Sequence, residues 1–430
     1  MAKTQYQEVH GIRKVGKTIP AAGIPHPALT SHLDSSVQTR RKTTHQGWDV
    51  HEGRGFPNRG KSKDFNTFDL HRLTLDEGNH TVKAPMAVPV AELNNFLETP
   101  PASEVSWEAI LGPAQSFLGR VSERLEAQVA FFEPEIAEHA RYALDNRGKQ
   151  LRPALVGLCA GAVGQVKDEH VTIGVLIEMV HLATLVHDDI MDGAQVRRGR
   201  PTVGARWGNH LAVLLGDCLF AHAMKVASAL SAKDIFSSIA SATSAVCTGE
   251  ILQTNRRRRW DLDRAEYLRM VEMKTAELFA VAAELGARCG GGSPAMEAAL
   301  REFALASGTA YQVYDDCLDL FGKESVAGKS LGTDLATGKM TLPMIVLMER
   351  ASASENAQLM AWLQSWSPEY LPRVQRLLEV HGALSESCSV IEELLQKARK
   401  ALEVLPDSPS RGALKAFTHF IAHQTALLTR

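Results

Sequence analysis

The chain has 430 residues, 45% of them hydrophobic, with 47 lysines and arginines against 49 aspartates and glutamates and a formal net charge of −2. That length and apolar content supply a large core and exclude a wholly disordered chain, while the near-neutral balance excludes bulk nucleic-acid affinity. The six cysteines (Cys159, Cys218, Cys247, Cys289, Cys317 and Cys388) show no paired spacing, which predicts reduced core thiols rather than disulfides or zinc ligands.

Residues 1–85 are rich in Gly, Pro, His, Thr and Lys without a sustained apolar period, and are expected to be a flexible extension. No apolar leader core opens the chain, and its greasiest stretch, Leu211–Met224, is broken by Asp217. Neither export nor membrane spanning is therefore expected, and the chain reads as cytoplasmic. Helical patterning begins near Val88, which makes Met86 a candidate for the true start. Residues 86–430 are expected to form one domain.

The segment Gly148-Lys149-Gln150-Leu151-Arg152-Pro153 sets Lys149 and Arg152 at the start of the apolar helix Ala154–Leu158, where free backbone N–H groups favour anions. From Val175 to Asp192 the chain is apolar nearly all round, the pattern of a helix buried in a larger protein. Its few polar residues, Glu178, His181, Thr184, Asp188 and Asp192, recur every three or four positions and draw one stripe. The stripe ends in Asp188-Asp189-Ile190-Met191-Asp192. Arg197-Arg198-Gly199-Arg200 follows, and Lys274-Thr275 falls inside a helix predicted from about Arg264 to Leu285. A second apolar helix repeats the stripe with Thr309, Gln312, Asp315 and Asp319, closing on Asp315-Asp316-Cys317-Leu318-Asp319. A loop punctuated by glycines then runs from Gly328 through Lys329 to Lys339.

Carboxylates at i and i+4 share a helical face with Cβ atoms about 5–6 Å apart. Burying one ionised and uncompensated costs several kcal/mol, against tenths of a kcal/mol per residue from helix propensity. A cation must therefore lie between the stripes. All-oxygen ligation without Cys or His suits Mg²⁺, which fills its remaining positions with water and substrate phosphate. A lone acidic pair would read as a helix cap, and a lone Lys or Arg as a solvated charge. Two matched clusters flanked by basic residues read instead as a diphosphate site.

Taken in order, the Gly148-Lys149-x-x-Arg152-Pro153 segment, Glu178-x-x-His181, the two aspartate clusters, Arg197-Arg198-Gly199, Gly249-Glu250-x-x-Gln253, Lys274-Thr275, Tyr311-Gln312 and Gly338-Lys339-x-Thr341-Leu342-Pro343 carry a family resemblance. From about Trp107 to the C-terminus the chain resembles the trans-isoprenyl diphosphate synthases, or polyprenyl synthetases. The resemblance implies an all-α bundle of antiparallel helices around a deep central cavity, usually as a homodimer. It implies three Mg²⁺ ions held by Asp188, Asp192 and Asp315, with Asp189, Asp316 and Asp319 completing the catalytic clusters. The allylic prenyl diphosphate would be held by Arg197, Lys274, Thr275, Gln312, Lys329 and Lys339. Isopentenyl diphosphate would rest on Lys149, Arg152, His181 and Arg198, and condensation would give an alkene one isoprene unit longer. The Lys329–Lys339 loop would close over the reaction and exclude water.

Chain length is read from Ala183 and Thr184, about one turn before the first aspartate and expected at the cavity floor. Both are small, and the first cluster lacks the two-residue insertion of bacterial short-chain relatives. By analogy with the family this implies a medium- or long-chain all-trans product of the kind used for quinone side chains. The alternatives are a short-chain farnesyl or geranylgeranyl diphosphate synthase and a non-catalytic subunit of a heteromeric synthase, although such subunits generally lose aspartates that this chain keeps.

Other motifs carry less. Gly328-Lys329-Ser330 mimics the end of a P-loop, but Gly322 is misplaced for one and no strand leads in. Glu178-x-x-His181 lacks the second pair of a di-iron bundle. Arg256–Arg259 before Trp260 reads as a solvated interhelical loop in preference to a contact with anionic lipid, so at most peripheral membrane contact during product release is expected there. Class I terpene cyclases also carry an acidic cluster. They typically replace the second with an Asn/Ser/Glu site, so Asp315-Asp316-x-x-Asp319 and the Lys149/Arg152 pair count against that class.

Overall fold

The structure is a computed structural model that describes residues 106–145, 148–230, 233–322 and 331–429. The 1–85 extension, Met86 and Lys329 lie outside the described residues. The principal helices are α1 (Gln115–Ala127), α2 (Pro134–Asp145), α3 (Leu151–Val163), α4 (Asp168–Met191), α5 (Asn209–Ser228), α6 (Lys233–Arg256), α7 (Arg264–Val271), α8 (Glu277–Gly290), α9 (Pro294–Phe321), α10 (Leu342–Arg350), α11 (Ala353–Gln364), α12 (Leu371–Val380), α13 (Ala383–Ala401) and α14 (Pro409–Leu427). Among the described residues, strand is confined to Val196–Arg197 paired antiparallel with Arg200–Pro201. The all-α expectation holds.

The two long central helices start where local chemistry places them. At α4 the Lys167 N–H donates to Nδ1 of His170 at 2.8 Å, and Asp168 and Glu169 put negative charge in the first turn, where the helix dipole favours it. At α9 the Ser293 hydroxyl accepts from the Met296 N–H, and Pro294 opens the helix with its ring-fixed φ. Both then bury most of their surface: Ile173, Leu176, Ile177 and Val180 of α4 and Leu300, Phe303, Ala310 and Val313 of α9 are fully enclosed. Helix α8 packs along α3 and against α9, α4 lies against α5, and α9 lies against α13.

The predicted single helix from Arg264 to Leu285 is instead three pieces, because Glu272–Ala276 forms a π turn between α7 and α8. A π turn inserts one extra residue into a helix and recurs at functional sites. Here it carries Lys274 and Thr275, which line the cavity described below. Helix α6 lies against this turn at Gly249, where a Cβ would stand 2.6 Å from the Lys274 amide nitrogen and 2.9 Å from its Cα. Backbone cannot yield as a side chain can, so glycine is required there.

Hydropathy read differently from the sequence expectation. By length and composition Asp168–Met191, Asn209–Ser228 and Asp234–Arg256 are each long and apolar enough to cross a membrane. The first is enclosed by the bundle. The other two leave Val213, Leu214, Phe236 and Ile251 exposed. The cysteines also divide: Cys159, Cys317 and Cys388 are core thiols, whereas Cys247 is exposed.

Candidate active site

Between α4, α6, α7, the π turn and α9 lies a cavity of about 680 Å³. Arg197, Arg198, Arg256, Arg257, Lys274 and Lys339 line it, against the carboxylates of Asp188, Asp192, Asp315 and Asp334. Four of the six cations are held from behind by carboxylates outside the lining, Arg197 by Asp189, Arg256 by Glu266, Lys274 by Glu250 and Lys339 by Asp316, so they stand at fixed positions around the cavity. Leu185, Leu262, Met270, Val271 and Met340 supply apolar wall beside the charged part.

The six motif aspartates split by orientation. Asp188 and Asp192, one turn apart on α4, and Asp315 on α9 face the cavity. The other three turn away from it. Asp189 is 7% exposed and accepts from Arg197 Nε at 2.7 Å. Asp316 is fully buried and accepts from Lys339 Nζ at 2.9 Å, Tyr267 Oη at 2.7 Å and Gln312 Nε2 at 3.0 Å. Asp319 is also fully buried and accepts from the Thr333 hydroxyl at 2.7 Å and the Asp334 N–H at 3.0 Å, fastening the segment beyond the second cluster.

The electrostatics follow from this arrangement. Burial pushes the Asp188 carboxyl up to about 6, and the nearby Glu250 and Asp192 carboxylates add to the effect against the pull of Lys274. Burial works against the Lys339 ammonium, yet Asp316 and Asp334 hold its pKa above the ordinary value. Lys274 pairs with Glu250 of α6, and Thr275 donates to Gln312 Oε1 at 3.0 Å, so the π turn is tied to both walls.

A second group of basic side chains adjoins the cavity through Arg198. At its base Gln150 takes a left-handed φ of 49° just before α3, and Pro153 falls in the first turn where no backbone donor is lost. Arg152 Nη1 stands 3.0 Å from His181 Nε2, and its guanidinium lies 4.6 Å from the centroid of the fully buried Phe279 ring. The Arg198 guanidinium rests on Gly148, where a Cβ would lie 2.4 Å from Nη2. Lys149 Nζ sits 4.0 Å from the Trp107 ring centroid. Burial lowers the Arg152 pKa to about 10, with Arg198 adding repulsion against the pull of Glu178. His181 is held well below its ordinary value by burial and then by Arg152, Arg198 and Arg197, so its ring is neutral. Cations crowded in a buried site are relieved by an anion.

Three expectations change on contact with this geometry. The Arg256–Arg259 segment is only in part a solvated loop: Arg256 Nε holds Glu266 at 2.7 Å and Arg257 Nη2 holds Asp192 at 2.6 Å, whereas Arg258 and Arg259 are exposed. Ala183 is fully buried and Thr184 donates to the His181 carbonyl at 2.7 Å; neither lines the cavity, where Leu185 stands instead. The cations that compensate buried aspartates are in part the protein's own, Arg197 at Asp189 and Lys339 at Asp316. No local pattern marks Arg257, because its partner is far away in sequence.

Facing acidic walls, fixed lining cations and an adjoining group of basic side chains, all in an all-α frame, are the arrangement of a helical prenyltransferase acting on diphosphates. The chain belongs to the polyprenyl synthetase family, whose model matches residues 133–380. It is 33% identical over 304 residues to a short chain isoprenyl diphosphate synthase of Methanothermobacter thermautotrophicus, spanning 70% of this chain and 94% of that protein. It is also 33% identical over 296 residues to an octaprenyl diphosphate synthase of Haemophilus influenzae, spanning 69% of this chain and 90% of that one. Among solved structures it is similar to a polyprenyl synthase from Caulobacter crescentus complexed with calcium and isoprenyl diphosphate, with a TM-score of 0.70 and 31% identity over 75% of this chain and 99% of the other.

Proposed function

We propose that this prenyltransferase condenses an allylic prenyl diphosphate with isopentenyl diphosphate and releases a medium- or long-chain all-trans polyprenyl diphosphate, of the kind that becomes a quinone side chain. One observation carries the reading: Asp188, Asp192 and Asp315 face a single cavity, while Asp189, Asp316 and Asp319 turn away to hold its cations and its rim.

The donor set fits Mg²⁺. The ligands are all oxygen, and Mg²⁺ is usually held by one or two carboxylates, with phosphate oxygens and water filling its other positions. Asp188 and Asp192 on one wall and Asp315 on the other would hold the ions, three in number. When bound, they supply charge stabilisation for the departing diphosphate.

The chain's own residues supply the rest. Arg197, Lys274 and Lys339, already fixed by Asp189, Glu250 and Asp316, neutralise charge as the allylic C–O bond breaks, and preorganised cations act most strongly there. Thr275 and Gln312 orient the same group. Lys149, Arg152, neutral His181 and Arg198 hold the diphosphate of isopentenyl diphosphate, so that its double bond attacks the allylic carbon. A proton lost to the released diphosphate restores the alkene. The apolar wall at Leu185, Met270 and Val271 receives the growing tail and keeps water from the cation.

Exposed Val213 and Leu214 on α5, with Phe236 and Ile251 on α6, support a homodimer through these helices. The test is to incubate the purified chain alone with farnesyl diphosphate, labelled isopentenyl diphosphate and Mg²⁺. Elongation past geranylgeranyl diphosphate is expected. No elongation would favour a subunit of a heteromeric synthase, and a cyclic hydrocarbon would favour a cyclase.

A further inference from the structure

We infer that Arg257 is a further diphosphate-binding residue of this enzyme, resting on Asp192 in the free chain and passing to the allylic diphosphate when metal takes its place. The inference deepens the proposed function and rests on it.

The contacts of Arg257 show why it is poised to move. Its Nη2 lies 2.6 Å from Asp192 Oδ1, and its Nη1 lies 3.1 Å from the Met191 carbonyl oxygen. It thus covers the C-terminal end of α4, where exposed carbonyls favour a cation. Its Nε is buried without an acceptor, although the side chain lines the cavity beside Lys274 and Lys339. A buried donor left over costs about 1–3 kcal/mol, and a diphosphate oxygen in the cavity would satisfy it. The planar fork of arginine also suits phosphate oxygens two at a time.

The backbone holds the side chain there at some expense. Arg258, the next residue, takes a left-handed φ of 61°, a conformation that costs a residue with a side chain about 1–2 kcal/mol. Its N–H donates to the Gly338 carbonyl at 2.7 Å. Gly338 has φ of 75°, and a Cβ on it would stand 2.5 Å from Arg258 Cγ. The two left-handed residues therefore interlock. The turn that carries Arg257 is fastened to the residue immediately before Lys339, so one strap joins a first-cluster aspartate to the second-cluster lysine. Strain of this kind persists where surrounding contacts over-determine it, typically at ligand sites.

Because Asp192 serves either Arg257 or a metal ion, removing the arginine has opposite effects on two ligands. The test is calorimetric titration of the full chain with Mg²⁺ alone, and with inorganic diphosphate in the presence of Mg²⁺. For Arg257→Gln, Mg²⁺ alone should bind more tightly, and diphosphate should bind about ten-fold more weakly, the loss of one charge-assisted hydrogen bond. Arg257→Lys, which keeps the charge without the fork, should weaken diphosphate binding about three-fold and carries the test should the glutamine variant fold poorly. Arg259→Gln should match the wild type in both titrations. Wild-type diphosphate affinity in both Arg257 variants, or weaker binding of Mg²⁺ alone in Arg257→Gln, would overturn the inference. The titrations need no turnover. A wild-type chain that fails to elongate would count against the proposed function, while they would still decide the role of Arg257.

Discussion

Lys339 Nζ lies 2.9 Å from Asp316 Oδ1, and the carboxylate of this pair is wholly removed from solvent. Tyr267 and Gln312 donate to the same carboxylate. The middle aspartate of the second cluster is therefore the counterion that sets a cavity lysine, whereas its neighbour Asp315 faces the cavity itself. Asp316→Ala would strand a buried cation, and breaking such a pair costs about 3–5 kcal/mol. Asp315→Ala should change stability by less than about 1 kcal/mol, as expected for a residue outside the packed core. Urea unfolding of both variants checks the split, which equal losses would contradict.

Two glycine substitutions separate the two diphosphate pockets. A Cβ at Gly148 meets the end of the Arg198 side chain, which can move aside, whereas at Gly249 it meets the backbone of Met273 and Lys274. Gly148→Ala should leave stability nearly unchanged and raise KM for isopentenyl diphosphate about ten-fold, about 1.4 kcal/mol. Gly249→Ala should cost about 1–3 kcal/mol of stability and raise KM chiefly for the allylic substrate. Initial rates with each substrate varied in turn decide it. A rise in the same constant for both variants would contradict the assignment of pockets.

Much of this site was legible in the sequence, for an identifiable reason. A period of three to four turned Glu178, His181, Thr184, Asp188 and Asp192 into one stripe on a buried helix, and the acidic walls follow from that arithmetic, whereas the all-α fold followed from the family resemblance. The same arithmetic already sets Asp189 and Asp316 about 100° round the helix from Asp188 and Asp315, consistent with their turning away. The π turn at Glu272–Ala276 was not legible, because Lys274 and Thr275 continue a normal helical pattern and the extra residue depends on how α6 lies against them. Nor was the pairing of Arg257 with Asp192, since a run of arginines in a loop carries no sign of its partner. Thr184 and Ala183 mark the limit of face arguments: position along a helix gave their height, but the neighbouring helices decide what each side chain meets.

Acid should weaken the free enzyme through His181. Burial, Arg152, Arg198 and Arg197 hold its folded pKa well below the ordinary 6.5. The unfolded chain therefore takes up a proton that the folded chain refuses, so stability from this group is complete above pH 6.5 and is lost as pH falls below it. Urea midpoints measured downward from pH 7 should fall less steeply for His181→Gln than for the wild type. Parallel curves would remove His181 as the cause.

Product length offers a sharper test of the tunnel. Leu185 lines the cavity less than one turn before Asp188, and Leu185→Phe should shorten the product while preserving the fold. Ala183 is fully enclosed, and Ala183→Phe should overpack the core at a cost of about 1–3 kcal/mol. Chromatography of the dephosphorylated products, alongside thermal unfolding, checks both. A shortened product from Ala183→Phe with normal stability would place that residue in the tunnel instead.

The central claim is that Asp188 and Asp315, on facing walls of one cavity, act together in allylic ionisation. Single-turnover elongation of farnesyl diphosphate by Asp188→Ala and Asp315→Ala, with helicity followed by circular dichroism, tests it most directly. Each variant should retain wild-type helicity and lose at least about 10³-fold in rate, a barrier increase of about 4 kcal/mol. A near-normal rate in either variant would contradict the claim.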